Sequence, residues 1–360
     1  MIRNACAAGL VLLAACAGAP RPAVPEGRVE RRVVLMGTSL EIEVEAHDRT
    51  AALAASEAAV AALEAAEERL STWRPGSELA RLNRAPVGER VLLSPRLAAE
   101  LAAIRHWWRE TGGAFDPAVG PLVQAWGLRE GGRLPSPAER AAAVAAAGMD
   151  GLRLEDGVAV RERAGLILEE GAWGKGAGLG DAVAALAADP AVSRATLDLG
   201  GQVALFSRDR TGAAPWKVPV ADPRQRDRTV AELTVDGGSV STSGNSEHGI
   251  LAGGRRLGHI LDPRRGEPAP DFGSLTVWAA DPLAADCLST GLYVMGPEAA
   301  MRWAADHPGV EVLVLRPREA LATPGLAGRL RALDPKVRIR FWKPTASAAR
   351  PLPRWRSLGG

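Results

Sequence analysis

A glycine-rich segment near the middle of the chain is the first place where residue types and spacing indicate chemistry. It runs from Glu169 to Asp181 as EEGAWGKGAGLGD, between a predicted strand and a predicted helix. Glycines allow the backbone to approach a ligand closely, and amides at the start of a helix suit an anion. Neither standard phosphate-loop pattern is met, because GxxxxGK[ST] fails and GxGxxG would need glycine at position 179 or 181. A glycine-rich turn that carries a solvated lysine is the simpler alternative.

Lys175, within this segment, favours the ligand-binding interpretation. The chain has 44 lysine and arginine residues, but lysine occurs only at positions 175, 217, 336 and 343. A compact ammonium group can contact a phosphate where a planar guanidinium does not fit. We therefore expect Lys175 to contact an anionic ligand through a charge-assisted hydrogen bond.

Asp286, Ser289 and Thr290 form a second group of polar residues. On a helix, positions i, i+3 and i+4 share a face, so this spacing presents one carboxylate and two hydroxyls together. Hard oxygen ligands with a single charge suit Mg²⁺, which binds few protein groups and completes its shell with phosphate and water. A helix N-cap, in which Asp286 or Ser289 accepts hydrogen bonds from backbone amides, explains the pattern equally well.

Two further motifs precede this helix in the sequence. His259 lies just before the turn signal at 262–266 (DPRRG), and a lone histidine beside a strand is more often structural than catalytic. The serines of 237–244 (GGSVSTSG) lack the GxSxG spacing of a nucleophile elbow. Taken alone, therefore, neither motif predicts a catalytic residue.

The elements that must position these residues mix helices with short strands. Helices are predicted over 50–70, 95–111, 137–147, 286–292, 297–305 and 318–332. Strands are predicted within 33–45 and over 151–154, 158–161, 166–169, 195–199, 203–206, 216–221, 233–235, 239–241, 258–261 and 274–279. Strands joined by hairpin-length gaps, rather than regular βαβ alternation, predict an α+β fold with a largely antiparallel sheet.

The composition excludes several classes of protein. The chain has 360 residues, of which 47% are hydrophobic and 24% charged, and both values are near the globular average. Its 44 basic and 42 acidic residues leave a formal charge of +2, so no nucleic-acid surface is expected. The three cysteines, Cys6, Cys16 and Cys287, are too far apart for a zinc ribbon or a disulfide framework.

The N-terminus resembles a bacterial lipoprotein signal peptide. Arg3 supplies a positive charge, residues 5–15 form a short apolar core, and 13–16 (LAAC) resembles a lipobox that ends at the lipidated Cys16. An ordinary secretory signal and an apolar cytosolic N-terminus are the alternatives. We expect a signal peptide at 1–16, a proline-containing tether at 17–29, one domain at 30–342 and a loose tail at 343–360.

Landmarks spread along the chain together resemble the ApbE family of FAD:protein FMN transferases, which are bacterial lipoproteins. The landmarks extend from about Val34 to Gly296 in the family's order: 36–38 (MGT), 70–73 (LSTW), 77–83 (SELARLN), 113–117 (GAFDP), 171–176 (GAWGKG), 198–201 (DLGG), 241–244 (STSG), 259–266 (HILDPRRG) and 286–296. Each motif is weak alone, whereas the ordered set that follows a lipobox is specific. The resemblance implies a single ApbE-like, T-fold-like domain, lipid-anchored to the bacterial cell membrane and facing the periplasm.

The same resemblance implies the residues of the site. FAD would be bound by Met36, Trp73, Ala114, Phe115, Asp116, Glu169, Lys175, His259 and Ile260. Mg²⁺ would be held by the backbone carbonyl of Ala172 and by the side chains of Asp286, Ser289 and Thr290. His259 and Lys175 are the catalytic candidates, with His259 as the base. The chain departs from the family at 169–172 (EEGA), where Asp-Leu-Gly-Ala is usual, and at Gly180, since the acidic residue comes one position later.

The implied reaction is the Mg²⁺-dependent transfer of FMN from FAD to a threonine or serine hydroxyl of an acceptor protein. A phosphoester bond would form and AMP would leave. The family suggests acceptors among the subunits of membrane redox complexes of the Na⁺-translocating quinone reductase or Rnf type. A periplasmic flavin-binding lipoprotein, an FAD pyrophosphatase without acceptor transfer, and an unrelated periplasmic binding or scaffold protein are the alternatives.

Overall fold

The computed structural model describes residues 27–343, with gaps at 210–211, 246–248 and 253. The predicted signal peptide at 1–16, including Cys16, lies outside the described residues, as do positions 17–26 of the tether and 344–360 of the tail. The first strand begins at Arg28, two positions before the predicted start of the domain.

Helices and strands alternate irregularly along the described residues. The helices are α1 (Arg49–Leu70), α2 (Glu78–Arg84), α3 (Pro95–Glu110), α4 (Gly120–Ala125), α5 (Pro137–Ala146), α6 (Gly174–Ala188), α7 (Pro282–Met295) and α8 (Pro297–Ala305). The strands are β1 (Arg28–Leu35), β2 (Thr38–Ala46), β3 (Arg90–Leu92), β4 (Leu152–Glu155), β5 (Val158–Arg161), β6 (Val192–Leu199), β7 (Gln202–Ser207), β8 (Trp216–Asp222), β9 (Gln225–Val235), β10 (Gly238–Gly244), β11 (Gly249–Ala252), β12 (Arg255–Gly258), β13 (Leu261–Asp262), β14 (Glu267–Pro268), β15 (Ser274–Ala279), β16 (Glu311–Arg316), β17 (Glu319–Ala322), β18 (Leu330–Ala332) and β19 (Arg338–Phe341).

The largest sheet has nine strands in the order β1-β2-β6-β7-β10-β15-β16-β17-β19. Its neighbouring strands pair antiparallel except for β17 and β19, which run parallel. Smaller sheets are formed by β18-β9-β8, β3-β5-β4, β11-β12 and β13-β14. The predicted α+β fold with a largely antiparallel sheet is therefore confirmed.

The two faces of the main sheet carry different layers, as strand β16 shows. Val312 and Val314 pack into a cluster with residues of α7 and α8. Leu313 and Leu315, which alternate with them, pack into a second cluster with residues of β8 and β9. Because successive side chains of a strand point to opposite faces, the sheet lies between a helical layer and the sheet formed by β8, β9 and β18. None of the helices in the described residues is both long enough and apolar enough to cross a membrane.

Three local predictions are wrong. The strand predicted at 258–261 is interrupted at residues 259 and 260, which connect β12 to β13. The helix predicted at 318–332 is instead β17, a short 3-10 turn and β18, because Pro324, Gly325 and Gly328 interrupt any helix and the flanking residues pair with β16 and β9. The strand predicted at 166–169 is irregular. Its amides at Leu168 and Glu169 bond to the Asn83 side chain and the Pro117 carbonyl rather than to a strand.

Helices α6 and α7 cross at Gly176. A Cβ atom at this position would lie 2.5 Å from the Pro282 carbonyl oxygen, 2.7 Å from the Asp286 Cβ and 2.9 Å from the Leu283 Cα. Distances below about 3.0 Å are not tolerated without movement of the backbone. A glycine is therefore needed for the two helices to approach as closely as they do.

We predict that Gly176→Ala destabilises the protein and that Gly180→Ala, in the same helix, does not. Overpacking at the crossing should cost about 1–3 kcal/mol of the free energy of unfolding. At Gly180 the atom closest to an added Cβ among the described residues is Arg96 Nη2, at 4.0 Å, so alanine should stabilise the helix by up to about 1 kcal/mol. Urea unfolding of the two variants measures both effects, and equal stabilities would contradict the crossing geometry.

Candidate functional site

The glycine-rich segment is fixed by the buried side chain of Trp173. This indole is fully buried, and its Nε1 donates a hydrogen bond of 2.7 Å to the Glu169 carbonyl. The amides of Trp173 and Gly174 donate to the Glu170 carbonyl at 3.0 and 2.6 Å. Burial of a large aromatic group next to a tight turn therefore fixes where α6 begins.

Asp286 joins the two helices that cross at Gly176. Its side chain is 4% exposed, and Oδ2 accepts a hydrogen bond of 2.8 Å from the Gly176 amide. Its Oδ1 lies 3.8 Å from Lys175 Nζ. The carboxylate therefore accepts a backbone hydrogen bond in the first turn of α6. Within the described residues, the N-cap residue of this helix, Trp173, makes no side-chain capping bond.

The capping alternative holds for Asp286 at the start of α6, where it accepts the Gly176 amide, but neither Asp286 nor Ser289 caps α7. Helix α7 begins at Pro282, four positions before Asp286, and its N-cap is Asp281. The Asp281 carboxylate accepts from the Leu283 amide at 3.0 Å. Asp286 and Ser289 are therefore interior residues of the helix, and their side chains face neighbouring elements.

The hydroxyl groups of α7 meet two serines of β10. Ser289 Oγ donates to the Asp286 carbonyl at 3.0 Å and lies 3.1 Å from Ser241 Oγ and 2.9 Å from Ser243 Oγ. Thr290 Oγ1 lies 3.4 Å from Ser243 Oγ. Ser241 and Ser243 were not among the predicted site residues, although their spacing of two in a strand places both on one face.

A cavity of about 200 Å³ brings together most of the predicted flavin-binding residues. Six of these nine residues line it, namely Ala114, Phe115, Asp116, Glu169, His259 and Ile260. Ala172 and Thr290 of the predicted Mg²⁺ site also line it, and apolar side chains such as Val119 and Leu128 complete its wall. The other predicted residues, Met36, Trp73, Lys175, Asp286 and Ser289, do not line this cavity. Five separate segments of the chain meet here.

The cavity wall at Phe115 depends on a second close approach to α7. A Cβ atom at Gly291 would lie 2.8 Å from the Phe115 Cβ, so glycine lets the two segments touch. The Phe115 amide donates to Thr111 Oγ1 at 3.1 Å, which fixes the turn that follows α3. Phe115 is 1% exposed and packs into the core.

Asp116 is the most perturbed carboxyl group of the site. Its Oδ1 accepts from the Ala118 amide at 2.8 Å, and the residue is 8% exposed. Burial raises the pKa of Asp116 from its ordinary 3.8 to about 7, although backbone amides at Ala118 and Met149 act in the opposite direction. Its charge therefore changes near neutral pH.

Asn245 fixes the segment that carries His259. Asn245 is buried, its Oδ1 accepts from the Ile260 amide at 3.4 Å, and its Nδ2 donates to the Ala269 carbonyl at 3.1 Å. His259 itself is partly exposed and lines the cavity next to Ile260. The turn predicted after it is confirmed, because the Gly266 amide donates to the Asp262 carbonyl at 2.8 Å between β13 and β14.

Glu169, in the cavity wall, pairs with Arg129. Arg129 Nη2 lies 2.5 Å from Glu169 Oε2, and the guanidinium lies over the Trp73 ring, 4.3 Å from its centroid. Burial raises the pKa of Glu169, and Arg129 opposes that rise. Trp73 is 67% exposed at the surface.

The remaining predicted contacts lie around α6. Met36, in the turn between β1 and β2, has a φ of 50° and packs against α6, where a Cβ at Gly178 would lie 3.2 Å from its Sδ. Asp181, the acidic residue displaced by one position, faces away from the cavity. Its carboxylate pairs with Arg69 at 2.7 Å and with Arg96 at 2.5 Å.

The donors at the α6–α7 crossing fit Mg²⁺ by their chemistry. Within the described part of the chain, no group of three or more His, Cys, Asp and Glu side chains could hold a metal ion. Asp286 offers one carboxylate, Thr290 has a hydroxyl and Ala172 a backbone carbonyl, and Ala172 and Thr290 both line the cavity. These oxygen donors carry one negative charge in total, which matches the preference of Mg²⁺. Ser289 differs from them, because its hydroxyl already bonds to Asp286, Ser241 and Ser243.

Comparison with known proteins gives one consistent family. The sequence model of the ApbE family matches residues 36–314. An FAD:protein FMN transferase from Klebsiella pneumoniae is 31% identical over 341 residues, which cover 89% of this chain and 94% of that protein. The ApbE protein from Thermotoga maritima has a similar crystal structure, with a TM-score of 0.73 at 29% identity over 80% of this chain and 94% of that chain. The flavin transferase ApbE from Vibrio cholerae gives a TM-score of 0.69 at 26% identity, over 81% of this chain and 94% of that chain.

We predict that Asp116→Asn reduces the pH dependence of stability. Because the pKa of Asp116 is raised to about 7 in the folded protein, its stabilising contribution is complete below about pH 4 and is lost as the pH rises to 7. Over that window the unsubstituted protein should lose up to about 1.4 kcal/mol per pH unit relative to the variant. Urea unfolding between pH 4 and 7.5 measures the difference, and parallel pH profiles would show that folding does not raise the pKa of Asp116.

Proposed function

Because the chain belongs to the ApbE family, we propose that it transfers FMN from FAD to a threonine or serine hydroxyl of an acceptor protein and releases AMP. The observation that carries this proposal is the single cavity lined by residues 114–116, Glu169, Ala172, His259, Ile260 and Thr290. Lys175 and Asp286 do not line it but lie 3.8 Å apart at the start of α6, and Thr290 of the cavity wall follows Asp286 by four positions on α7. An anionic substrate and an all-oxygen metal site can therefore meet at one place.

Lys175 and the first turn of α6 provide the positive charge for the pyrophosphate of FAD. The helix has 15 residues, and its N-terminal amides and dipole favour an anion. The Lys175 side chain is 31% exposed, and its ammonium group adds a full positive charge beside these amides. In phosphoryl transfer such positioning and charge neutralisation do most of the catalytic work.

Asp286, Thr290 and the Ala172 carbonyl are the groups we propose for Mg²⁺. When bound, Mg²⁺ neutralises the charge that develops on the leaving phosphate. The carboxylate is held for this role by the Gly176 amide, which bonds to Oδ2 at 2.8 Å. In this proposal Ser289 supports the site by fixing α7 against β10 rather than by binding the metal ion.

His259 is the proposed base for the acceptor hydroxyl. The hydroxyl oxygen attacks the phosphorus on the FMN side, a new P–O bond forms, the pyrophosphate P–O bond breaks and AMP leaves. The proton of the hydroxyl passes to the His259 imidazole, which acts as the general base. Its position in the cavity wall and its partial exposure allow an acceptor segment to approach it from solvent.

The acceptor and the cellular location extend the same proposal. The lipobox at 13–16 supports a lipid anchor at Cys16, outside the described residues, which would hold the domain at the bacterial membrane in the periplasm. We propose that the acceptors are subunits of membrane redox complexes of the Na⁺-translocating quinone reductase or Rnf type. Such subunits would lie at the same membrane surface.

One assay tests the proposed reaction. The protein is incubated with FAD, Mg²⁺ and a candidate acceptor, followed by chromatography of the nucleotides and intact-mass analysis of the acceptor. Transfer gives AMP and increases the mass of the acceptor by the mass of FMN minus that of one water molecule. Recovery of intact FAD would indicate a flavin-binding protein, and AMP with free FMN would indicate a pyrophosphatase. Either result would contradict the proposal for that acceptor.

We predict that Asp286→Asn lowers Mg²⁺-dependent AMP release about a hundredfold or more. The substitution keeps an oxygen that can accept from the Gly176 amide, but it removes the only carboxylate of the proposed metal site. Asp281→Asn on the same helix is the matched control, because Asn and Asp cap helices equally well. Full activity of the Asp286 variant, or equal losses in both variants, would refute the metal assignment.

We predict that Cys16→Ser releases the protein from the membrane fraction and leaves its FAD turnover unchanged. The cysteine precedes the first described strand, which begins at Arg28, so its loss should not affect the cavity. Fractionation of cells followed by an FAD turnover assay measures both properties. Continued membrane association of the variant would contradict the anchor.

A further inference from the structure

An exposed tryptophan, Trp73, is contacted by an arginine that also pairs with Glu169 of the cavity wall. The Arg129 guanidinium lies 4.3 Å from the centroid of the Trp73 ring. It also pairs with Glu169 Oε2 at 2.5 Å and donates to Thr72 Oγ1. Thr72 Oγ1 in turn donates to Glu170 Oε2 at 2.6 Å. The residues 72, 73, 129, 169 and 170, which we call the rim cluster, connect the end of α1 to the glycine-rich segment.

Arg129 belongs to a segment that is itself well anchored. Trp126 is 6% exposed, and its Nε1 donates to the Gly266 carbonyl at 2.8 Å. Its carbonyl accepts from the Arg133 amide at 2.9 Å. Leu128, next to Arg129, lines the cavity. The guanidinium therefore extends from a fixed backbone at the cavity wall to the Trp73 ring.

The charges of the rim cluster are arranged to hold one arginine. The side chain of Glu169 is only 14% exposed, and that of Arg129 is 29% exposed. Trp73 is much more exposed, at 67% for the whole residue. A guanidinium fork can bond to a carboxylate and lie over an aromatic face at the same time, which an ammonium group cannot do as well. Glu169 lines the cavity, and its carboxylate reaches Arg129 from there.

We propose that Arg129 is a positioning residue that orders Trp73 for the flavin. This inference rests on the proposed function, because it assigns the isoalloxazine ring to the Trp73 side of the cavity. An exposed indole samples several rotamers, and ordering it upon binding costs affinity. Arg129 contacts one face of the ring and restricts it beforehand, while the exposure of Trp73 leaves other ring surface accessible to a flat ligand. Arg129 thus acts on the flavin through Trp73.

The test compares the affinities for FAD, FMN and ADP in one Mg²⁺ buffer. The variants are Arg129→Met, Trp73→Ala and the double variant. Arg129→Met keeps the aliphatic stem and removes the guanidinium. We expect FAD and FMN to bind about three- to tenfold more weakly to it, with ADP within about twofold of the unsubstituted protein. In the Trp73→Ala background, the same substitution should cause no further loss, because its effect passes through the ring.

Two more variants separate this role from charge and from folding. Arg129→Lys keeps the positive charge but lacks the planar guanidinium. On a logarithmic scale it should therefore recover less than half of the FAD affinity that Arg129→Met loses. Arg194→Met is the matched control, since Arg194 lies over the Trp216 ring at 3.3 Å on residues outside the cavity, and it should leave all three affinities unchanged. Urea unfolding of each variant confirms that it is folded.

The inference would be overturned by any of three results. Equal losses of affinity for FAD and ADP would mean that Arg129 acts on the phosphates. Losses of FAD affinity that add to those of Trp73→Ala would mean that Arg129 acts independently of the ring. Unchanged FAD affinity would mean that Arg129 has no role. Failure of the proposed function is a different result, because the unsubstituted protein would then fail to bind FAD or to release AMP from it.

Discussion

The close crossing of α6 and α7 at Gly176 is the constraint on which the site depends. Because position 176 has no side chain, the two helices approach until the Asp286 Oδ2 accepts the Gly176 amide at 2.8 Å. The same contact places Lys175 Nζ 3.8 Å from Asp286 Oδ1. Thr290, one turn further along α7, then reaches the cavity wall beside Ala172. One glycine therefore brings the proposed phosphate contact and the proposed metal ligands together.

Successive turns of helix α7 contact different neighbouring segments. Asp286 bonds to the start of α6, Ser289 bonds to Ser241 and Ser243 of β10, and Gly291 admits Phe115. Such a helix is buried along most of its length, as the exposure pattern of α7 shows. Its polar residues are retained in the interior because each has a hydrogen-bonding partner there. The site is consequently as rigid as the core around it, whereas His259 and Trp73 lie at its more exposed edges.

The sequence predicted the local parts of this arrangement better than their assembly. The spacing of Asp286, Ser289 and Thr290 correctly indicated one helix, and the antiparallel sheet followed from the strand spacing. The start of α7 at Pro282 was not recognised, which left the N-cap alternative open for Asp286. The partners of Asp286 and Ser289 lie 110 and 46–48 positions away, at Gly176 and on β10, and no local pattern encodes such pairs. The helix predicted at 318–332 failed because Pro324 and Gly328 fall within it and the flanking residues pair with β16 and β9.

The most direct measurement of the central claim is anomalous diffraction from crystals soaked with Mn²⁺ and FAD. Mn²⁺ accepts the same oxygen ligands as Mg²⁺ and scatters anomalously at accessible wavelengths. If the α6–α7 crossing builds the metal site, the anomalous peak should lie about 2.2 Å from a carboxylate oxygen of Asp286, with the Thr290 hydroxyl and the Ala172 carbonyl completing the protein ligands. A peak elsewhere, or none while FAD is visible in the cavity, would contradict this account.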